Sequence, residues 1–537
     1  SGCTNETEAT VTTKYERKFN SENAAVVDQE HLGGVIGQCE GSIVDCTNRG
    51  TVDQASDPRT VNAGGICGFV RNAAESLSGN ANEGEVRIGG AVTLATVGGV
   101  YGSFGKAQTV ADAATTNRGG VTVSGIESIE GAYLRLGGIV GFAYPGTVLS
   151  NLTNAGDMTV DLQSKFSYYA VGGIAGSVEC GASSCVNEGS LRLNNNQLLT
   201  KGMCKIFVGG IVGINYRPTD DGPHIYEDCA NRAEIGFATT DNAFKVLPSF
   251  TGGILGYTEH PVEVRNCEGA AYINVNNANA KENGIFTATG GIVGAVKGTA
   301  ALIEKCHVTA DMRHYQYNNT WDDPLSAANG GGIVGCALGA DEVNRIAITG
   351  CSCSGMVESK RSGAAGIVGY ARFSDISDCG FTGGIEGSGP HFAGGIAGTL
   401  ANSTIAGCTV KAKNIYGHNA SSPSLIGVSG IAAYVVGVSS VSDCKAYATL
   451  IRNSTVLGTE DASVTPDNLF GMGMIVGIDA GTTTVTNCGV GGSFYLGASE
   501  KPQELILTLD ADSYAKGIIG SGKTATVGGC YYWNGEE

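Results

Sequence analysis

The chain has 537 residues, 42 % of them hydrophobic, and a formal net charge of −18. That balance excludes a disordered chain and argues against nucleic acid or an anionic membrane surface as a partner. No apolar run reaches the roughly 18 residues of a membrane-spanning helix, and the 84 glycines recur at a long period, not as the Gly-X-Y of collagen.

The sequence opens on Ser1-Gly2-Cys3, followed by Thr4, Asn5, Glu6, Thr7 and Glu8. A small pair before Cys, with acidic residues after it, resembles the cleavage and surface-export signal of Bacteroidetes lipoproteins. The resemblance implies a lipid anchor on Cys3 and an outer-membrane, cell-surface location. Residues 1–30 are polar and read as a tether and an N-terminal cap, since an end coil needs its edge covered.

Residues 31–537 read as a single array of repeats. Leu-Gly-Gly-Val-Ile-Gly at Leu32–Gly37 returns as Leu136–Gly141, Val171–Gly176, Val208–Gly213 and Thr289–Gly294, with further copies beginning at Ala63, Val97, Thr251, Gly330, Ala364, Ala393 and Met472. The spacing averages about 37 residues per repeat, the signature of a solenoid. Each unit carries three short apolar segments: one through Gly-Gly-Ile-Val, one ending at an Ile or Val, and one beginning at a Cys and running through Gly-x-Val. Helical periodicity is weak. The pattern predicts an all-β chain, a right-handed parallel β-helix of about 14 coils. Ile139, Ile174, Ile211, Ile254, Ile292, Ile333, Ile367 and Ile396 should then form an inward column.

The second signal is an apolar residue three positions before Cys, as in Ile43…Cys46, Val264…Cys267 and Ile376…Cys379. A spacing of three cannot keep both residues on one face of a straight strand. A corner must lie between, and the residue before Cys is Asp45, Asp228, Asn266, Gly350, Asp378, Gly407, Asp443 or Asn487, types that tolerate left-handed backbone. Lys305 is the exception. The 18 cysteines therefore read mainly as a column of small buried hydrophobes, with Cys39/Cys46 and Cys180/Cys185 as candidate local disulfides. Two residues after the Cys position stands Asn48, Asn82, Asn117, Asn154, Asn187 and Asn231, then Gly269, Val308, Cys353, Phe381, Val410, Ala446 and Val490. This predicts an Asn ladder in the early coils and an apolar ladder in the later ones.

Gly-Gly-Ile-Val-Gly followed by Ile-x-Asn-Cys and Gly-x-Val is similar to the GLUG-type repeats of bacterial surface proteins. The resemblance covers nearly the whole chain from residue 32. It implies a surface protein, some relatives being near adhesins and peptidases, and it carries no activity.

Motifs with chemistry are few. Gly517–Thr524 matches a P-loop formally, but the next residues repeat the strand and corner, and a phosphate cradle needs a helix there. The seven histidines hold no zinc spacing, so no metal or cofactor is expected. The loop Asp311–Asn329 combines Tyr315, Tyr317 and Trp321 with Asp322 and Asp323, flat faces with polar ends suited to a glycan or protein ligand. The expected function is a non-enzymatic binding or adhesion module. The alternatives are a polysaccharide lyase or glycoside hydrolase with a lateral-groove site, and an accessory lipoprotein of an outer-membrane transport complex.

Overall fold

The computed structural model describes the chain apart from residues 8, 14–28, 55–59, 91, 93, 127–131, 162–165, 196–204, 217–221, 240–248, 278–286, 317–327, 361–362, 387–391, 420–425, 455–464, 466, 468, 499–500, 523–524 and 537. Two compact units are present, Ser1–Pro261 and Val262–Glu537. Each is a stack of β-coils joined by in-register parallel ladders, the parallel β-helix that the repeat predicts.

A coil of the first unit shows how the motif is used. Strand Ala132–Gly137 runs into a bend at Gly138-Ile139, and strand Val140–Ala143 leaves it. Strand Val148–Ser150 follows, then a corner, then Thr153–Asn154 and Met158–Asp161. The Gly-Gly-Ile-Val segment is thus a bend between two strands, not one strand, and the coil has five strand segments where three were expected. Close approach explains the glycines. A β-carbon on Gly138 would lie 2.3 Å from Asn154 Cγ, and one on Gly141 would lie 2.6 Å from the Val97 nitrogen of the preceding coil. Neither contact is sterically allowed, so the motif is fixed by how tightly the chain folds there.

The corner before Cys is as read. Asp45, Asp228, Asn266, Asp378, Asp443 and Asn487 have φ between 52° and 55°, and Gly350 and Gly407 lie at 62° and 64°. Lys305 adopts the same conformation at 51°, without the side chain that eases it. The inward column is also as read: Ile139, Ile174, Ile211 and Ile254 in the first unit, and Ile292, Ile333, Ile367 and Ile396 in the second, are fully buried.

The ladder two residues after Cys differs between the units. In the first, the Asn48 amide donates to Asn82 Oδ1 at 2.7 Å, Asn82 to Asn117 at 2.8 Å, Asn117 to Asn154 at 2.8 Å, Asn154 to Asn187 at 2.9 Å and Asn187 to Asn231 at 2.8 Å. Each of these amides also donates to a backbone carbonyl in its own coil, as Asn117 does to Gly119 at 3.0 Å. All six side chains are fully buried, and every rung satisfies the next, which is what a buried amide requires. The N-terminal segment joins this scheme. Thr4–Asn5 and Thr10–Thr13 pair in register with Thr47–Asn48 and Thr51–Gln54, and Asn5 donates to Asn48 at 2.7 Å as a further rung. In the second unit Val308, Cys353, Phe381, Val410, Ala446 and Val490 fill the position, all buried.

Every described cysteine is a free thiol, including Cys39, Cys46, Cys180 and Cys185, so neither expected local disulfide is present. The ladder thiols have backbone partners instead: Cys379 Sγ donates to Ser377 O at 3.2 Å and lies 3.6 Å from Ile348 O of the preceding coil. Burial pushes the Cys67, Cys180 and Cys353 thiols up to about 12, which leaves them protonated and unreactive at neutral pH.

Candidate functional site

The residues that recur from coil to coil are used up in packing: glycines in close approach, isoleucines in the core, asparagines and cysteines in ladders. What remains is the outward face of each strand. At the Gly-Gly bend the chain closes toward its outer side, so outward side chains of the strand before the bend meet those of the strand after it. His31 stacks on Phe69 at 4.9 Å, and Phe207 and Phe250 lie 5.1 and 4.7 Å from Tyr257. A second, outer seam of aromatic contacts therefore runs along the first unit.

Its middle coils are where it opens to solvent. Tyr133, Tyr168 and Lys205 are register neighbours in one outward row. Arg135, Ala170, Phe207 and Phe250 form the next row. Across the bend, Phe142, Ser177, Ile214 and Tyr257 form the facing row. The Tyr133 and Tyr168 rings are 4.9 Å apart, and Tyr168 meets Phe207 edge-on at 6.2 Å. Tyr133 is 38 % exposed, and Tyr144 and Tyr216, just beyond the strands of the facing row, are 39 % and 44 % exposed. Tyr133, Tyr144 and Tyr216 thus leave large aromatic side chains open to solvent.

Arg135 is the centre of the group. Its guanidinium lies over the Phe142 ring at 4.5 Å, and its Nε donates to the Tyr168 hydroxyl at 3.0 Å. Burial pushes the Tyr168 phenol up, and the cation beside it offsets only part of that rise. The phenol therefore stays neutral and can accept the hydrogen bond. Two fixed contacts hold the guanidinium plane, while its terminal nitrogens have no carboxylate partner among the described residues. Next to it in the facing row, Ser177 is fully buried and its hydroxyl has no hydrogen-bond partner among the described residues.

Of the residues singled out from the sequence, Tyr317, Trp321, Asp322 and Asp323 lie outside the described residues. Tyr315 is placed on strand Met312–Gln316 and half-buried. Arg313 lies over its ring at 5.0 Å, its hydroxyl donates to Glu358, and Arg313 Nε meets the same carboxylate at 2.8 Å. Its face and its hydroxyl are engaged by these neighbours. His314, next to it, points the other way, fully buried with Nδ1 2.7 Å from Thr289 Oγ1. Cys3 is exposed. In the P-loop match Gly517–Thr524, Gly517 ends a single 3-10 turn, Tyr514–Gly517, strand Ile519–Ser521 follows, and Lys523 and Thr524 lie outside the described residues; among the described residues no helix of the kind a phosphate site requires follows it.

The open seam was missed from the sequence, although a signal existed. Tyr133, Tyr168 and Lys205 each stand four residues before the first glycine of their repeat, and Arg135, Phe207 and Phe250 stand two before it. Attention to the residues that recur hides those that vary in a fixed frame. Compared with family models, with curated proteins and with solved structures, the chain matches none.

Proposed function

We propose that this chain is a non-enzymatic binding module, a surface lipoprotein of the GLUG-repeat kind that recognises a glycan or a surface protein. The observation that carries the reading is the solvent-open part of the outer seam, where Tyr133, Tyr144 and Tyr216 present large rings around the half-buried Arg135. Flat apolar faces with a few fixed polar groups are what a recognition surface needs, and rigid strands hold them in place. The repeating residues support the same reading, because each has a packing role and none is left over for chemistry. Cys3, exposed near the first coil, is the point at which a lipid would hold the module to the outer membrane.

The test is to present purified protein with a panel of polysaccharides and of outer-membrane proteins, measuring binding and product release together. Saturable binding without product, weakened by Tyr133→Ala or Tyr216→Ala, is the expected result. Release of oligosaccharides that persists in repurified protein would replace this reading with the enzymatic one. Anchoring is tested separately by detergent phase partition of cell-expressed protein, in which Cys3→Ala should move the chain to the aqueous phase.

A further inference from the structure

The second unit ends on a coil whose outer side is open. Strands Ile519–Ser521, Thr526–Gly528 and Tyr531–Tyr532 pair with Val476–Asp479, Thr482–Thr486 and Gly489–Ala498 of the coil before. Among the described residues no strand pairs with their other side. The core is therefore cut across at this end. Val476, Val485 and Val490 are fully buried, whereas their register neighbours Ile519 and Tyr532 are only half-buried and Val527 is 44 % exposed. The backbone edge is open as well. Gly528 O accepts from Asn487 N at 2.9 Å, so Gly528 bonds toward the preceding coil. Successive residues of a strand bond to opposite sides, so Val527 directs its N–H and C=O outward. Among the described residues nothing folds over this tip: past Tyr532, Trp533 and Gly535 turn back against Tyr447, two coils earlier.

We infer that this end is an interface between two copies of the chain, joined tail to tail about a twofold axis at Val527. The inference does not rest on the binding-module reading. Three observations select a second copy in this arrangement. First, the tip is self-complementary. The axis sets Thr526–Gly528 antiparallel to its mate, and the two Val527 residues exchange both N–H···O bonds while each side chain closes the other's core. Thr526–Gly528 also lies between the other two end strands, so the same axis lays Ile519–Ser521 of one copy over Tyr531–Tyr532 of the other. Second, the chain closes the rest of this end in the same way. Lys501–Thr508 runs antiparallel to Ser493–Ala498, and Phe494 beside it is fully buried. Third, head-to-tail stacking is blocked. At the N-terminal end of the first unit Thr4–Asn5 already pairs with Thr47–Asn48, the place that Tyr531–Tyr532 of another copy would need.

The experiment is sedimentation equilibrium of the full chain over a concentration series, with hydrogen exchange measured at its two ends. The mass should rise to twice 54.6 kDa and stop there. Added salt should favour the dimer, because each copy carries a formal charge of −18 and salt screens the repulsion. Val527→Lys should weaken association at least about a hundredfold, since it sets two like charges together at the axis. Val527→Pro should also weaken it, without adding charge, by removing the edge N–H. Val343→Lys, at an exposed turn of the same unit, should leave the dimer unchanged. Thermal melts check each variant's fold, and exchange in the wild type keeps the test valid if a variant fails to fold. Amides of residues 526–533 should exchange more slowly at high concentration, and those of residues 29–40 should not. A chain that stays monomeric throughout overturns the interface. A mass that grows past the dimer, or protection that appears at residues 29–40, overturns the tail-to-tail arrangement. A dimer untouched by Val527→Lys in a folded variant, or without protection at residues 526–533, places the contact elsewhere and overturns it too.

Discussion

Gly99 and Asn117 belong to one coil and define each other: a β-carbon on Gly99 would lie 2.3 Å from Asn117 Cγ and 2.1 Å from the Gly138 carbonyl oxygen. The glycine leaves room for the amide, and the amide joins coil to coil by donating to Asn154 at 2.8 Å while accepting from Asn82 at 2.8 Å. In the second unit the same glycine position faces an apolar side chain, as Gly366 does Phe381.

Two substitutions separate the steric and polar halves of this arrangement. Gly99→Ala should destabilise the chain by at least about 3 kcal/mol, because backbone and not a flexible side chain stands in the way. Asn117→Val should cost about 2–4 kcal/mol. It removes the acceptor for the Asn82 amide and the donor to the Asn154 carbonyl, and each buried polar group left unmatched costs about 1–3 kcal/mol. Urea denaturation of both variants reads these values, and a loss below about 1 kcal/mol for Asn117→Val would mean the ladder is not the element that joins the coils.

Much of this was legible because each recurring residue carries a geometric demand. The Asx or Gly before Cys announced a left-handed corner, and the switch from Asn48…Asn231 to Val308…Val490 announced a change of ladder. The bend inside Gly-Gly-Ile-Val was not legible, since a short apolar run reads as one strand whether or not it turns. Asn5 was hidden because it stands outside the repeat and becomes a rung only through pairing with Thr47–Asn48. Of the aromatic loop singled out from the sequence, Tyr317, Trp321, Asp322 and Asp323 lie outside the described residues, and the exposed rings described here lie on or beside strands. Tyr133 and Arg135 come together with Phe142 only once the bend is known to close on its outer side.

Lys305 supplies a test of the corner. Its φ of 51° is the conformation that Asn266 and Asn487 hold at 52° and 55°. For a residue without a short polar side chain this backbone costs roughly 1–2 kcal/mol. Lys305→Asn should therefore raise stability by about 1 kcal/mol. The Lys305–Glu304 ion pair at 3.2 Å is solvent-exposed, and its loss offsets little of that gain. Lys305→Val should act oppositely. Matched urea curves for the two variants decide the matter, and a Val variant as stable as the Asn variant would show that the corner imposes no strain.

His314 makes the second unit sensitive to acid. The side chain is fully buried, and burial lowers its pKa from 6.5 to about 4. Above pH 6.5 the imidazole is neutral in both folded and unfolded chains and stability is unaffected. As pH falls through 6.5 the unfolded chain takes up a proton that the folded chain refuses, so stability declines until about pH 4 and then levels. The full loss is on the order of 3 kcal/mol. Unfolding free energies measured from pH 7.5 to 5 should fall for the wild type and fall less for His314→Gln, the difference between the two isolating this group from other titrations. Parallel profiles would mean that His314 protonates as readily inside the coil as outside it.

The cysteine column should behave as packing with weak donors, not as a set of indispensable thiols. At equivalent positions the first unit places Asn80, whose amide donates to Ile43 O at 2.7 Å, and Thr115 and Leu152, all fully buried. The site therefore accepts a donor of another kind, and with Leu152 none at all. A serine hydroxyl in place of the Cys379 thiol would find the carbonyls of Ser377 and Ile348 that the sulfur already faces, so it would not be left unsatisfied. Cys379→Ser should cost no more than about 1 kcal/mol, close to the modest net worth of a single matched hydrogen bond. Thiol titration provides the complementary measurement. In protein made without the lipid, Cys3, exposed, should react at once, while the column should react only after denaturation, with or without prior reduction. A rise in titratable thiols on reduction would mean that the column holds disulfides, and a loss of several kcal/mol in Cys379→Ser would mean that sulfur packing, not the donor, sets the fit between coils.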